Sequence, residues 1–116
     1  MIGIDLVKIS RIDKMMKRFK DKALIKFLNN DEIKLIKTSN NAAGFWAAKE
    51  AASKALGTGI GKECSFHDII ISKSLKGAPF LAFSTKVVEA FRIKDVSVSI
   101  THDGDYAIAV VAIETD

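Results

Sequence analysis

The chain has 116 residues, 18 Lys or Arg against 14 Asp or Glu, a net charge of +4 and 48% hydrophobic residues. That length suits a single domain, residues 1–116, burying roughly two-thirds of its unfolded surface, and one proline with 28% charged residues excludes a disordered or fibrous chain. The longest apolar run, Tyr106 to Ile113, falls far short of the roughly twenty residues of a membrane span, no signal-like segment opens the chain, and the single cysteine, Cys64, excludes a disulfide framework or a cysteine-based zinc site.

These features predict a soluble, cytoplasmic protein with no membrane partner. From the N-terminus, Met1 to Ile9 alternates with the period of a strand. Ile2, Ile4 and Leu6 lie on one side, and Gly3, Asp5 and Val7 on the other. Ser10 stands where a helix cap belongs, and Ile12, Met15 or Met16, and Phe19 follow at helical spacing. Arg11, Lys14 and Arg18 share another face of that helix. Asn30 or Asp31 starts a second helix reaching Lys37, with Ile33 and Ile36 inward. Thr38 to Asn41 reads as a polar loop. An alanine-rich helix runs from about Ala42 to Leu56, and Gly57 ends it as the C′ residue.

The second half predicts strands. Phe66 to Ser72 is followed by a turn over Leu75 to Pro79 and a return strand, Phe80 to Phe83. Ser84 caps a short helix ending near Ile93. Val96, Val98 and Ile100 alternate with Ser97, Ser99 and Thr101. His102 to Asp105 forms a hairpin turn signalled by its Asp-Gly pair, and Tyr106 to Ile113 returns. Helices followed by antiparallel strands predict an α+β fold, an antiparallel sheet packed with helices. The last strand is apolar on both faces, Ile108 and Val110 on one, Val111 and Ile113 on the other. Its second face needs either the chain's own helices or a neighbouring subunit.

Charge is regional. Residues 8–37 carry ten basic and four acidic side chains, a balance of +6, whereas the remainder is −2. Such a segment is either a solvated helix face or a docking surface for an anionic partner. Asp5 interrupts an apolar strand, where a carboxylate is costly unless it is exposed, paired or bound to a metal. Glu50 and Lys54 stand at i and i+4 on the alanine-rich helix, with Trp46 one turn earlier and Lys49 about 100° round it. Alone they are an ordinary surface pair; the surrounding alanines would let another backbone or a ligand come close. Gly57 to Gly61 follows a helix instead of preceding one, so it is a connection and not a phosphate loop. His102, at the start of the hairpin turn, is a phosphate contact or a turn residue. His67 and Cys64 have no companions that suggest chemistry.

Ile2-Gly3-Ile4-Asp5, together with Trp46-x-x-Lys49-Glu50-Ala51-x-x-Lys54, resembles the two signature motifs of the 4′-phosphopantetheinyl transferases. The short length, the run Ser53 to Gly61, and Val98 to His102 followed by Asp105-Tyr106-Ala107 narrow the resemblance to the small bacterial holo-acyl-carrier-protein synthases. It extends from residue 2 to about 113. Phe45 stands where members often carry arginine before the motif aromatic, and Ala78 where lysine is common. The resemblance implies a phosphopantetheinyl transferase fold assembled as a homotrimer with active sites between subunits. It implies transfer of phosphopantetheine from coenzyme A to a serine of apo-acyl carrier protein, serving fatty acid biosynthesis. Asp5 and Glu50 would share Mg²⁺. Glu50 and Lys54 would be catalytic, with Lys49 and Lys54 on phosphoryl oxygens and His102 on a phosphate. Gly77 and Pro79 would shape the nucleotide pocket, and Arg11, Lys14, Met15, Arg18 and Phe19 would dock the carrier.

Two other readings compete. A small basic nucleic-acid-binding module would use residues 8–37, but it leaves Asp5 and Glu50 without a task and has few aromatics for stacking. A catalytically silent structural subunit would have no need of the motif carboxylates and lysines.

Overall fold

The computed structural model describes residues 1–116. Strand β1 (Ile2–Lys8), β4 (Ile93–Asp103) and β5 (Tyr106–Thr115) form an antiparallel sheet in the order β1-β5-β4. A separate hairpin pairs β2 (Ile69–Lys73) with β3 (Pro79–Phe83). Helix α4 (Ser39–Leu56) packs on β1 and β5. The fold is α+β, as the element order predicts.

Small side chains set how closely α4 approaches the sheet. Ala42, Ala43, Ala47, Ala48, Ala51 and Ala52 are all fully buried. They meet the alternate residues Ala107, Ala109, Val111 and Ile113 of β5, also buried. The register sets Gly3 opposite Val111, Asp5 opposite Ala109 and Val7 opposite Ala107. Side chains alternate across a strand, so this β1 triplet faces α4. Asp5 is thereby carried to the helix that holds Glu50.

The other sheet face has no helix on it. Ile2, Ile4 and Leu6 remain 75%, 59% and 57% exposed, and Val110 of β5 joins them. The chain's own helices cover one side of the last strand only.

Several boundaries differ from expectation, each for a local reason. Helix α4 begins at Ser39, because Thr38 and Asn41 form a capping box. The Thr38 hydroxyl accepts from the Asn41 amide, and the Asn41 side chain accepts from the Thr38 amide. The supposed polar loop is therefore a cap and a first turn. Helix α1 (Ile9–Phe19) starts without a cap from Ser10. The Ser10 amide donates to Asp105 Oδ1 at 2.9 Å, and its hydroxyl donates to Asp105 Oδ2 at 2.6 Å. The hairpin turn, 95 residues away, satisfies this helix end.

Helix α2 (Asp21–Phe27) was hidden in lysine-rich sequence, and Lys20 at φ +52° separates it from α1. Helix α3 (Asn30–Ile33) is a single turn capped by Asn29, and it stops short of Lys37. A 3-10 turn at Phe66–Asp68 precedes β2. His102 lies on β4 opposite Ala107, which confines the turn to Gly104 and Asp105. Helix α5 (Thr85–Phe91) follows Ser84, whose hydroxyl donates to Asp68 and accepts from no amide of the helix. No helix is long and apolar enough to cross a membrane.

Candidate active site

Two groups of polar side chains meet α4, one near each end. At the C-terminal end, Glu50 and Lys54 lie one turn apart and β1 delivers Asp5. Lys54 Nζ donates to Asp5 Oδ1 at 2.8 Å. The Asp5 side chain is only 13% exposed, whereas that of Lys54 is 52% exposed. One N–H of Lys54 is thus engaged and two remain for other acceptors. The Asp5 contact holds the Lys54 ammonium above its ordinary pKa. Burial, and then the Asp5 charge, push Glu50 upward, while Lys54 and Arg11 oppose that shift. Arg11 itself lies over the Trp46 ring, 5.4 Å from its centroid. Asp5, Glu50, Lys54 and Arg11 therefore share one electrostatic neighbourhood.

Two mutually repelling carboxylates on separate, rigid elements suit a hard divalent cation with oxygen ligands. No group of three or more His, Cys, Asp or Glu side chains gathers there. A cation held by Asp5 and Glu50 would keep most of its coordination for water and phosphate oxygens, as Mg²⁺ does.

The structure does not bring Lys49 to this group. Its ammonium is fully buried on another side of α4. It donates to Glu32 Oε1 and to the carbonyl of Phe27, each at 2.8 Å, and to the carbonyl of Phe66 at 3.0 Å. Three acceptors occupy its three N–H bonds, leaving none for a phosphoryl oxygen. The phosphate role expected of Lys49 is corrected to a structural one. Burial draws its pKa down, while Glu32 pulls it back up. Glu32 completes the knot by accepting from the amides of Asn29 and Ile71. Sequence reading missed Glu32 because its partner lies 17 residues away.

Near the N-terminal end of α4, Gly77, Pro79 and His102 line one cleft with Asn41, Gly44, Phe45, Lys73 and Ile100. His102 Nε2 lies 2.9 Å from the carbonyl oxygen of Asn40. A carbonyl only accepts, so Nε2 carries the hydrogen. Gly44 permits this approach, since a Cβ there would stand 3.3 Å from His102 Nε2. Gly77 adopts φ +85°, a conformation that favours glycine. Lys73 and Asn41 were not singled out from sequence; neither stands in a motif.

Along α1, Arg11, Lys14 and Arg18 are exposed. Met15 is partly buried and Phe19 is 50% exposed. Met15 and Phe19 border a shallow apolar groove with Lys22, Ala23 and Lys26 of α2. Asp13 and Lys17 pair with each other at 2.8 Å on another part of the helix.

The chain as a whole has close relatives. The holo-[acyl-carrier-protein] synthase of Nautilia profundicola is 65% identical over 96% of this chain and 96% of its own length. The protein of the same name from Sulfurimonas denitrificans is 60% identical over 99% of this chain and 95% of its own. The crystal structure of Helicobacter pylori holo-[acyl-carrier-protein] synthase in complex with coenzyme A superposes with a TM-score of 0.95 at 54% identity. That match covers 98% of this chain and 100% of the other. Residues 1–111 match the sequence model of the 4′-phosphopantetheinyl transferase superfamily. With the motif carboxylates of β1 and α4 side by side and the match spanning nearly every residue, the chain belongs to the 4′-phosphopantetheinyl transferase superfamily.

Proposed function

We propose that this protein is a holo-acyl-carrier-protein synthase. It transfers the 4′-phosphopantetheine arm of coenzyme A to a serine of apo-acyl carrier protein and releases adenosine 3′,5′-bisphosphate. The observation that carries this reading is the meeting of Asp5 with Glu50 and Lys54, in a chain this similar to proteins of that name. The serine oxygen forms a bond to the phosphorus bearing pantetheine, and the bridging P–O bond breaks toward the adenosine side. Asp5 and Glu50 would hold Mg²⁺, which when bound supplies charge neutralisation at the diphosphate. Glu50, or a water beside it, accepts the serine proton. Lys54 directs its two unengaged N–H bonds to phosphoryl oxygens and protonates the leaving phosphate. His102, Gly77 and Pro79 receive the nucleotide end.

A homotrimer with shared active sites fits two observations. The uncovered sheet face of Ile2, Ile4 and Leu6 needs a neighbour. Gly44 in the nucleotide cleft and Glu50 are also six residues apart on α4, about 9 Å along the axis and roughly 240° round it. A donor reaches both stations more readily when they come from adjoining chains.

The test is incubation with coenzyme A, Mg²⁺ and an apo-carrier, reading the mass gain on the carrier. Asp5→Ala and Glu50→Ala should each lower transfer at least about 100-fold, with melting unchanged, and EDTA should do the same to the unaltered protein. Full activity of Glu50→Ala in EDTA would sink the assignment. Sedimentation should give a trimer, and mixed Glu50→Ala and His102→Ala chains should regain part of the activity. A fully active monomer would contradict the shared site.

A further inference from the structure

Three hydrogen bonds tie the first turn of α1 to one residue of the β4–β5 turn. The Ile9 amide donates to the Asp105 carbonyl at 2.8 Å, the Ser10 amide to Asp105 Oδ1 at 2.9 Å, and the Ser10 hydroxyl to Asp105 Oδ2 at 2.6 Å. All three oxygens of Asp105 thus serve one helix end. Strand β1 runs directly into α1 at Lys8 and Ile9, with no connecting loop and no cap from the Lys8 side chain. The first amides of a helix lack partners within it, and a carboxylate there also meets the positive end of the helix dipole. Asp105 supplies from a distant segment what a local cap would supply.

Arg11 is the next residue of that turn. Its guanidinium lies over the Trp46 ring, 5.4 Å from the centroid, and takes part in none of the ion pairs. A cation over an aromatic face is a weak contact on its own, so the place of Arg11 depends on where its backbone is held. Ile9 and Ile12 are buried and seat the inner side of the turn. The Asp105 bonds hold its solvent side. Without them α1 would stay packed, but its first turn would be free to shift.

We infer that Asp105 is a positioning residue for the carrier: its bonds to Ile9 and Ser10 hold Arg11 over Trp46, and so set how tightly the apo-carrier is engaged and not how the donor is bound. This rests on the transferase reading above, with the carrier docked along α1. Asp105 acts through Arg11. The sign of its effect separates positioning from charge. An acidic carrier meets a basic surface, so deleting a carboxylate beside α1 would by charge alone strengthen carrier binding. Loss of the latch weakens it.

The experiment compares Asp105→Ala, Asp105→Asn, Ser10→Ala and Asp103→Ala, with Arg11→Ala as the reference. Asp103 is an exposed acid of the same hairpin, outside the latch. The chain has one tryptophan, so Trp46 emission reports the place of Arg11 without carrier or donor. Asp105→Ala should shift that emission in the direction of Arg11→Ala. It should raise the KM for carrier about tenfold and leave the KM for coenzyme A within about twofold. Ser10→Ala keeps the amide bond and should raise the carrier KM about threefold, which carries the test even if Asp105→Ala folds poorly. Asp105→Asn retains an oxygen for the Ser10 amide and should recover most of the loss. Asp103→Ala should change neither reading. Combined with Arg11→Ala, Asp105→Ala should add less than about twofold. The role is overturned if the latch variants leave the emission or the carrier KM unchanged, lower that KM, raise both KM values alike, or add their full factor to Arg11→Ala. A failure of the functional reading looks different: the unaltered protein would then modify no carrier, and the carrier role of Asp105 would fall with it whatever the emission shows.

Discussion

Gly3 of β1 and Ala51 of α4 touch backbone to backbone. A Cβ on Gly3 would overlap the carbonyl oxygen of Ala51 and stand 2.5 Å from the amide nitrogen of Ala55. Neither obstacle is a side chain that can rotate away. Because Asp5 follows two residues later on the same face, this contact sets its distance from Glu50 and Lys54. Gly3→Ala should lower stability by about 2–3 kcal/mol through overpacking. Transfer should fall further than the unfolded fraction explains. Chemical denaturation and the carrier assay measure the two effects, and an unchanged midpoint with full activity would show that β1 is not seated this way.

Lys49 and Glu32 form a buried, fully satisfied pair. Removing one partner strands the other charge, so Lys49→Met should cost about 3–5 kcal/mol. Adding Glu32→Gln should return at least about 1 kcal/mol of that loss, which a double-mutant cycle in urea would read. The folded fraction of Lys49→Met should keep the KM for coenzyme A of the unaltered protein. A selective rise in that KM would instead restore the phosphate role that burial removes.

Carrier docking on α1 is testable by charge and salt. Acyl carrier proteins are small acidic helical domains, and Arg11, Lys14 and Arg18 are exposed beside Met15 and Phe19. Arg18→Glu should raise the KM for carrier several-fold, with coenzyme A affinity little changed. Arg11→Glu should do more, because its charge also reaches Glu50. Both effects should shrink as ionic strength rises, since complementary surface charge chiefly speeds association. A carrier KM insensitive to both substitutions and to salt would place docking elsewhere.

Asp68 predicts an acid response. It accepts from the amide and hydroxyl of Ser65, from the hydroxyl of Ser84 and from Lys86. The Ser65 amide contributes most, and the carboxyl falls from an ordinary 3.8 to about 2. A folded value below the unfolded one means the contribution is complete above about pH 4 and is lost as pH falls toward 2. Asp68→Asn should cost about 1–2 kcal/mol at neutral pH, and its difference from the unaltered protein should shrink steeply as pH falls through about 2. Urea unfolding across that range provides the check; a pH-independent difference would contradict it.

Periodicity and local chemistry made much of this protein legible in its sequence. The alternation of Ile2 to Val7 marked β1 and set Gly3 and Asp5 on one face. The i, i+4 spacing joined Glu50 to Lys54, Gly57 marked the end of α4, and the Asp-Gly pair marked the last hairpin. These depend on neighbours a few residues apart, whose geometry the backbone period dictates. Tertiary structure decided what depends on distant segments meeting. Lys49 sits next to Glu50 in sequence, yet it points into the core because Glu32 and two carbonyls wait there. Ser10 loses its capping task to Asp105. Lys73 of β2 comes beside Phe45 of α4, in a cleft shared with His102 of β4, only once these distant elements meet. A charge buried against a distant partner leaves no local period to read, because its cost is offset by contacts that exist only once the chain has folded.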